Sequence, residues 1–270
     1  MKNIIFSDID KTLVNGREVS DENKKWIKKW MDSNKLFVLV SGRVIPYTKM
    51  IAKQIGICNY IICNNGSLIY NIKKEKVIYK NQMSKGALKR IFDISNKYDA
   101  RCILGGLKTV YTNKIKYPDE ETLILDITDE LYNENPFTQI TISHKDEDIM
   151  LKIIDEINVI NEVSIINRHR FLYDKNYKYD GRVWIDITNV NVSKKDAIIE
   201  LLEFLNIDLK DSVRIGDDLN DLPMFLDKGI NVAVENAIPN LKEKADYVTL
   251  SCEANGVANL IEKLMNNEIL

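Results

Sequence analysis

The stretch "IIFSDIDKTLV", residues 4–14, decides the fold. Its apolar run reads as a strand, and two aspartates, Asp8 and Asp10, follow at once. A strand buried on both faces tolerates no charge, so the pair marks where the strand ends and water or a ligand begins. The texture repeats outward. "SDENKKWIKKWMDS" (20–33) reads as a helix capped by Ser20, with Trp26, Ile27, Trp30 and Met31 on one face. "LFVLV" (36–40) and "YIIC" (60–63) are further buried strands. Between them "IPYTKMIAKQI" (45–55) suits a helix with Pro46 in its first turn and Gly56 closing it. Strands alternating with helices through short links predict a doubly wound parallel sheet.

Near residue 80 the pattern changes. Residues 84–98 read as a helix, 102–112 as a hairpin or two short strands around Gly105 and Gly106, and about 120–133 as a helix. "FTQITIS" (137–143) alternates polar and apolar residues, as a strand with one solvated face does. A helix over 146–157 and strands at 162–166 and 182–187 complete an antiparallel α+β module. From 193 the first texture returns: helix 193–205, strand 213–215, helix 219–227, strand 231–234, helix 238–244, strand 247–250, helix 254–265. The expectation is one α/β core with a Rossmann-like parallel sheet, in two parts, 1–81 and 185–270, split by an insert over 82–184.

Composition narrows the function classes. The chain has 270 residues, 45% apolar and 29% charged, with a net charge of −2. Without a basic footprint, nucleic acid is not the expected partner. No run approaches the ~18 apolar residues of a membrane span, and the apolar start is too short for a signal peptide. The expectation is a cytoplasmic protein, monomer or loose homodimer. Four cysteines without a CxxC, and two histidines, do not make a zinc site. The cysteines read as small buried hydrophobes.

Open parallel sheets bind ligands outside the C-terminal strand ends. Strand 3–7 is followed by Asp8 and Asp10, strand 36–40 by "SGR" (41–43), strand 60–63 by "NNGS" (64–67), and strand 213–215 by "GDDLND" (216–221). Five aspartates, 8, 10, 217, 218 and 221, thus converge on one rim. Carboxylates so gathered repel unless a cation intervenes, and all-oxygen ligands suit a hard ion, Mg2+, which a substrate phosphate commonly completes. Ser41 and Gly42, just before a helix N-terminus, suit an anion, and Lys194 supplies positive charge. Taken singly, a D-x-D pair is commonly a turn or cap and a lysine commonly a surface residue. Four strand ends with compatible chemistry point to phosphate.

In that order, "DIDKT" (8–12), "VSGR" (40–43), a later Lys and "IGDDLND" (215–221) resemble the four motifs of the haloacid dehalogenase superfamily of phosphatases. "CNNGSLIY" (63–70), "WIDI" (184–187), "VSKKDAI" (192–198), "VAVENA" (232–237) and "ADYVTLSCEANGVANLI" (245–261) are similar to its Cof-like sugar-phosphatase group, which carries the IIB type of cap. The resemblance covers the core and little of the insert. It implies that Asp8 is the nucleophile forming an aspartyl-phosphate and Asp10 the general acid and base. It implies that Asp8, the backbone carbonyl of Asp10, and Asp217 hold Mg2+. Ser41 and Lys194 would bind the phosphoryl group, Gly42 would give backbone access, Asn220 would contact phosphate or substrate, and Asp221 would support the metal or Lys194. The insert would be a cap closing over the site, with Arg168, His169, Arg170, Tyr173 and Arg182 as candidates to line it; as surface residues they are equally well explained, and no partner for His144 is evident.

Lys11 and Lys195 stand where this family usually has glycine, so Lys195 competes with Lys194 for the inward position; Lys194 is chosen because it aligns with "VSK". The expected function is hydrolysis of small phosphorylated metabolites, such as sugar phosphates or a phosphorylated cofactor. The alternatives are a phosphosugar mutase on the same core and a non-catalytic phosphate-binding regulator.

Overall fold

The computed structural model describes residues 3–57, 59–166 and 181–269. Two compact units divide the chain: Met1–Arg43, Tyr47–Tyr79 and Ser193–Leu270 form one, and Val44–Pro46 with Lys80–Val192 the other.

In the first unit, β1 (Ile4–Ser7), β2 (Leu36–Val40), β3 (Tyr60–Cys63), β4 (Leu68–Asn71), β5 (Lys76–Lys80), β12 (Ser212–Gly216), β13 (Ile230–Ala233) and β14 (Tyr247–Val248) make one sheet. Its order is β14-β13-β12-β1-β2-β3-β4-β5. Neighbours from β14 to β3 run parallel, and β4 returns antiparallel to β3. All four residues of β1 are buried, which is why its sequence is apolar without alternation. The chain leaves β1 through β2 toward one edge and comes back on β1's other side through β12. That reversal is where an α/β sheet opens a crevice at its C-terminal strand ends.

Helix α1 (Asp21–Asp32) begins at Ser20, whose hydroxyl accepts from the Asn23 N–H. Ile27 and Trp30 are buried as the periodicity predicts, but Trp26 is only half-buried and donates its indole N–H to Glu22 at 2.8 Å. Helix α6 (Lys194–Leu205) packs Ala197, Ile198, Leu201 and Leu202 onto Ile4, Phe6, Val38 and Ile62. Each such large aliphatic or aromatic side chain contributes about 1.5–3 kcal/mol on full burial. This packing holds the first turn of α6 over the strand ends.

The second unit is a sheet of β6 (Arg101–Gly105), β7 (Val110–Thr112), β8 (Glu121–Leu123), β9 (Gln139–His144), β10 (Val163–Ile165) and β11 (Val183–Asn189), ordered β10-β11-β9-β6-β7-β8. Helices α3 (Lys85–Lys97) and α5 (Glu147–Asn158) bury Leu88, Ile91, Phe92, Met150 and Ile153 with Ile140, Ile142 and Ile185 of the strands.

Three readings need correction. Strands β4 and β5 occupy 68–80, where the pattern assigned none. The helix expected over about 120–133 is instead β8 followed by a short α4 (Asp129–Glu134). Glu121 is drawn inward by the Arg101 guanidinium and by the Lys116 and Tyr117 N–H groups at 2.7 and 3.1 Å, while Thr128 caps α4. The helix expected over 219–227 is one 3-10 segment, Leu219–Met224, that contains Pro223. Proline removes a donor and stops a longer helix.

Candidate active site

Asp8 follows β1, and its N–H still bonds to the Ile215 carbonyl of β12 at 3.0 Å. The backbone therefore fixes its carboxylate at the C-terminal rim, buried. Asp217 follows β12, also buried, and its Oδ1 accepts from the Thr12 hydroxyl at 2.9 Å. Asp221 lies in the 3-10 segment with no exposed surface; its Oδ2 accepts from the N–H groups of Asp217 at 2.8 Å and Asp218 at 3.1 Å. Ligand oxygens of Asp8, Asp217 and Asp221 all lie within 4.8 Å of one another.

Lys194 is the first residue of α6, after the N-cap Ser193. Its side chain is 1% exposed, and Nζ donates to Asp8 Oδ1 at 2.6 Å and Asp221 Oδ1 at 2.5 Å. Lys195, the next residue, is exposed. The inward lysine is Lys194.

Three buried carboxylates around one ammonium leave excess negative charge. Burial, then Asp221, pushes the Asp8 carboxyl well above the usual carboxylate range, against the opposing pull of Lys194. Burial, again reinforced by Asp221, pushes Asp217 up to about 7, against the Thr12 hydrogen bond. For Lys194, burial alone would favour the neutral amine, but Asp221 and Asp8 outweigh it and hold the ammonium above its ordinary range.

Asp10 and Asp218 do not join this cluster. Asp218 caps the 3-10 segment and accepts from the Leu219 N–H at 2.7 Å. Asp10 is exposed, with its carboxylate on the Arg43 guanidinium. The expectation of five converging aspartates becomes three together, one cap and one ion pair.

Ser41 is buried at the end of β2, and its hydroxyl accepts from the Arg43 N–H at 3.1 Å. A side chain at Gly42 would come within 2.9 Å of the Asn65 carboxamide, so glycine is needed for close packing there. The Nδ2 of the half-buried Asn220 lies 3.5 Å from Asn65 Oδ1. Asn64, Asn65 and Gly66 form a tight turn in which all three take positive φ, at 53°, 56° and 97°. A side chain on Gly66 would meet the Ser193 carbonyl at 2.2 Å, so this glycine lets the turn press against the start of α6. Sequence reasoning missed Thr12, Arg43 and Asn65 as site residues, although "DIDKT", "SGR" and "NNG" contain them.

In the second unit, Arg182 donates to the Ser143 hydroxyl at 3.1 Å and carbonyl at 3.0 Å. His144 Nδ1 accepts from the Asp146 N–H at 2.9 Å. Arg168, His169, Arg170 and Tyr173 lie outside the described residues. Cys63, Cys102 and Cys252 are buried free thiols. No described helix is long and apolar enough to cross a membrane. A cavity of about 620 Å³ in the first unit, lined by Lys28, Asp32, Phe37, Lys53 and Gly56, contains none of the clustered Asp8, Asp217 and Asp221. Charge and strand ends, rather than cavity size, locate the chemistry.

A family profile described as haloacid dehalogenase-like hydrolase matches residues 5–261. The chain is 25% identical to the 5-amino-6-(5-phospho-D-ribitylamino)uracil phosphatase YcsE of Bacillus subtilis, over 96% of this chain and 94% of that protein. It is 27% identical to YwtE, a phosphatase of the same name from that organism, over 98% of each. Its fold is similar to that of a haloacid dehalogenase-like hydrolase from Bacteroides thetaiotaomicron, with a TM-score of 0.80 at 20% identity, covering 98% of this chain and all (100%) of that one.

Proposed function

The chain belongs to the haloacid dehalogenase-like hydrolases and is a phosphatase of that family, and from that premise we propose that it hydrolyses small phosphorylated metabolites, with Mg2+, through an aspartyl-phosphate on Asp8. One observation carries this reading: Asp8 sits buried at a strand end, 2.6 Å from the Lys194 ammonium, in a carboxylate cluster that one cation leaves overcharged. The substrates we infer are sugar phosphates or a phosphorylated cofactor.

In the first step an Asp8 oxygen bonds to phosphorus as the ester P–O bond breaks, and the proton of Asp10 goes to the departing oxygen. In the second, water attacks phosphorus, its proton goes to Asp10, and Asp8 is released with inorganic phosphate. Lys194 binds phosphoryl oxygens and offsets their charge. Ser41 and Gly42 offer a hydroxyl and backbone N–H to the same group, Asn220 contacts phosphate or substrate, and Asp221 holds Lys194 in place.

The donor set fits a hard divalent ion: carboxylate oxygens, with no imidazole or thiolate in the cluster, and with Asp8 and Asp217 destabilised as anions. Asp221 is committed through both oxygens to Lys194 and to backbone N–H groups. As the family resemblance implies, Asp8, the Asp10 carbonyl and Asp217 would hold Mg2+, which when bound would favour the Asp8 carboxylate and offset the phosphoryl charge. On the same reading the insert is the cap that selects the leaving group.

The test is phosphate release from a panel of monoesters with Mg2+, with EDTA, and with Asp8→Asn. The panel is headed by 5-amino-6-(5-phospho-D-ribitylamino)uracil, because two relatives are named for it. Release that needs both Mg2+ and Asp8 is expected. Release unaffected by Asp8→Asn would overturn the reading.

A further inference from the structure

We propose that Arg43 is a positioning residue for Asp10, holding its carboxyl where it exchanges a proton with the leaving group. The inference rests on the phosphatase reading above, in which Asp10 is the acid and base.

The contact is two-pronged. Arg43 Nε donates to Asp10 Oδ2 at 2.9 Å, and Nη2 donates to Asp10 Oδ1. Nη2 also reaches the Gly16 carbonyl at 3.2 Å. The arginine is itself anchored: its N–H donates to the Ser41 hydroxyl, and its carbonyl accepts from the Asn64 N–H at 3.0 Å and the Thr48 hydroxyl at 3.4 Å. The turns after β2 and β3 thus fix the Arg43 backbone, and from that anchored position the guanidinium reaches Asp10.

A planar fork sets the plane of a carboxylate as well as its distance, which an ammonium does not. The Asp10 side chain is 54% exposed, and among the described residues the Arg43 fork is what holds its rotamer. An ion pair this open adds little to stability. Its geometry is therefore better explained by orientation of Asp10 than by a need of the fold. General acid catalysis depends on such orientation, since the proton must lie within hydrogen-bond reach of the atom that receives it.

The consequence depends on the leaving group. As Asp8 bonds to phosphorus and the ester bond breaks, an aliphatic alkoxide needs the Asp10 proton, whereas p-nitrophenolate departs without one. The experiment measures kcat/KM, which reports this first step, for p-nitrophenyl phosphate and for the aliphatic monoester that the wild type hydrolyses best. The variants are Arg43→Met, Arg43→Lys, Asp10→Asn, and Asp10→Asn with Arg43→Met. Arg43→Met is expected to lower kcat/KM for the aliphatic ester by about 100-fold, mainly through kcat, the low end of what general acid catalysis supplies. For p-nitrophenyl phosphate the loss is expected to stay below about threefold, because the acid term is absent there. Arg43→Lys should recover only part, and Arg43→Met should add less than about twofold in the Asp10→Asn background, because the two act as one unit.

Equal losses on both esters, carried by KM, would overturn the proposal and make Arg43 a phosphate ligand. Equal losses with a lowered melting temperature would overturn it in favour of a structural role, as would full additivity with Asp10→Asn. If Asp8→Asn keeps wild-type activity, the phosphatase reading fails instead, and this proposal with it.

Discussion

At Lys194 burial and pairing oppose each other within one side chain. The ammonium has lost its water and received two carboxylates, at 2.6 and 2.5 Å. Removing one partner of a buried ion pair leaves an uncompensated charge and costs about 3–5 kcal/mol. Lys194→Met is therefore expected to lower unfolding free energy by about that amount in chemical denaturation. Adding Asp221→Asn should recover part of the loss, because it removes one of the two stranded carboxylates; a strictly additive pair would contradict this charge balance. The same logic sets a pH dependence. Asp217 is pushed up to about 7, and Asp8 is raised in the same direction. A carboxyl with a raised folded pKa binds its proton more tightly when folded. Its stabilising contribution is complete below the unfolded value of about 4 and is lost as pH rises through the folded value. The metal-free protein should lose melting temperature between pH 5 and 8, as Asp217, pushed up to about 7, gives up its proton. Mg2+ should raise the melting temperature more at pH 8 than at pH 6. Lys11 shows why a glycine suits this position. It stands at φ 61°, the left-handed region where a glycine is unstrained. Lys11→Gly should change stability by less than about 1 kcal/mol, since the strain relieved is offset by the flexibility gained in the unfolded chain. Activity should persist.

The turn Asn64–Gly66 is the element that joins the site's separate contributors. It receives Gly42 on one side, meets Asn220 through Asn65, and presses Gly66 against the residue before Lys194. A methyl group on Gly66 would have to move the Ser193 carbonyl and would also strain a φ of 97°. Gly66→Ala is expected to destabilise by at least about 2 kcal/mol in denaturant titration, the strain and the clash together. It should also reduce phosphate release, because the displacement falls on the first turn of α6. Elements such as α1, β2 and α5 were legible because their own apolar pattern dictates both their type and their buried face. The segment around Glu121 was not, since its conformation is set by Arg101, twenty positions away in the chain. Nor was the return through β4 and β5, which is set by pairing, β4 beside β3 and β5 beside β4, rather than by any period of their own.

At the scale of the molecule, a parallel sheet makes its strand ends neighbours whatever their separation in sequence. That is why Asp8, Ser41, Lys194 and Asp217 could be gathered from motifs spread over more than two hundred residues. What the pattern could not supply was side-chain direction. It grouped Asp10 and Asp218 with the buried carboxylates, whereas one faces Arg43 and the other caps a 3-10 segment. The fold and the gathering of Asp8, Asp217 and Asp221 follow from topology, and the different settings of the acids follow only from packing. The central claim is that Asp8 carries the phosphoryl group between substrate and water. Its most direct measurement is acid quenching during turnover, followed by borohydride reduction, which converts a phosphorylated aspartate to homoserine, and mapping of the modified peptide by mass. The account predicts homoserine at position 8 and at no other aspartate. Steady phosphate release with Asp8 recovered unmodified at every quench time, or with the mark on another aspartate, would contradict it.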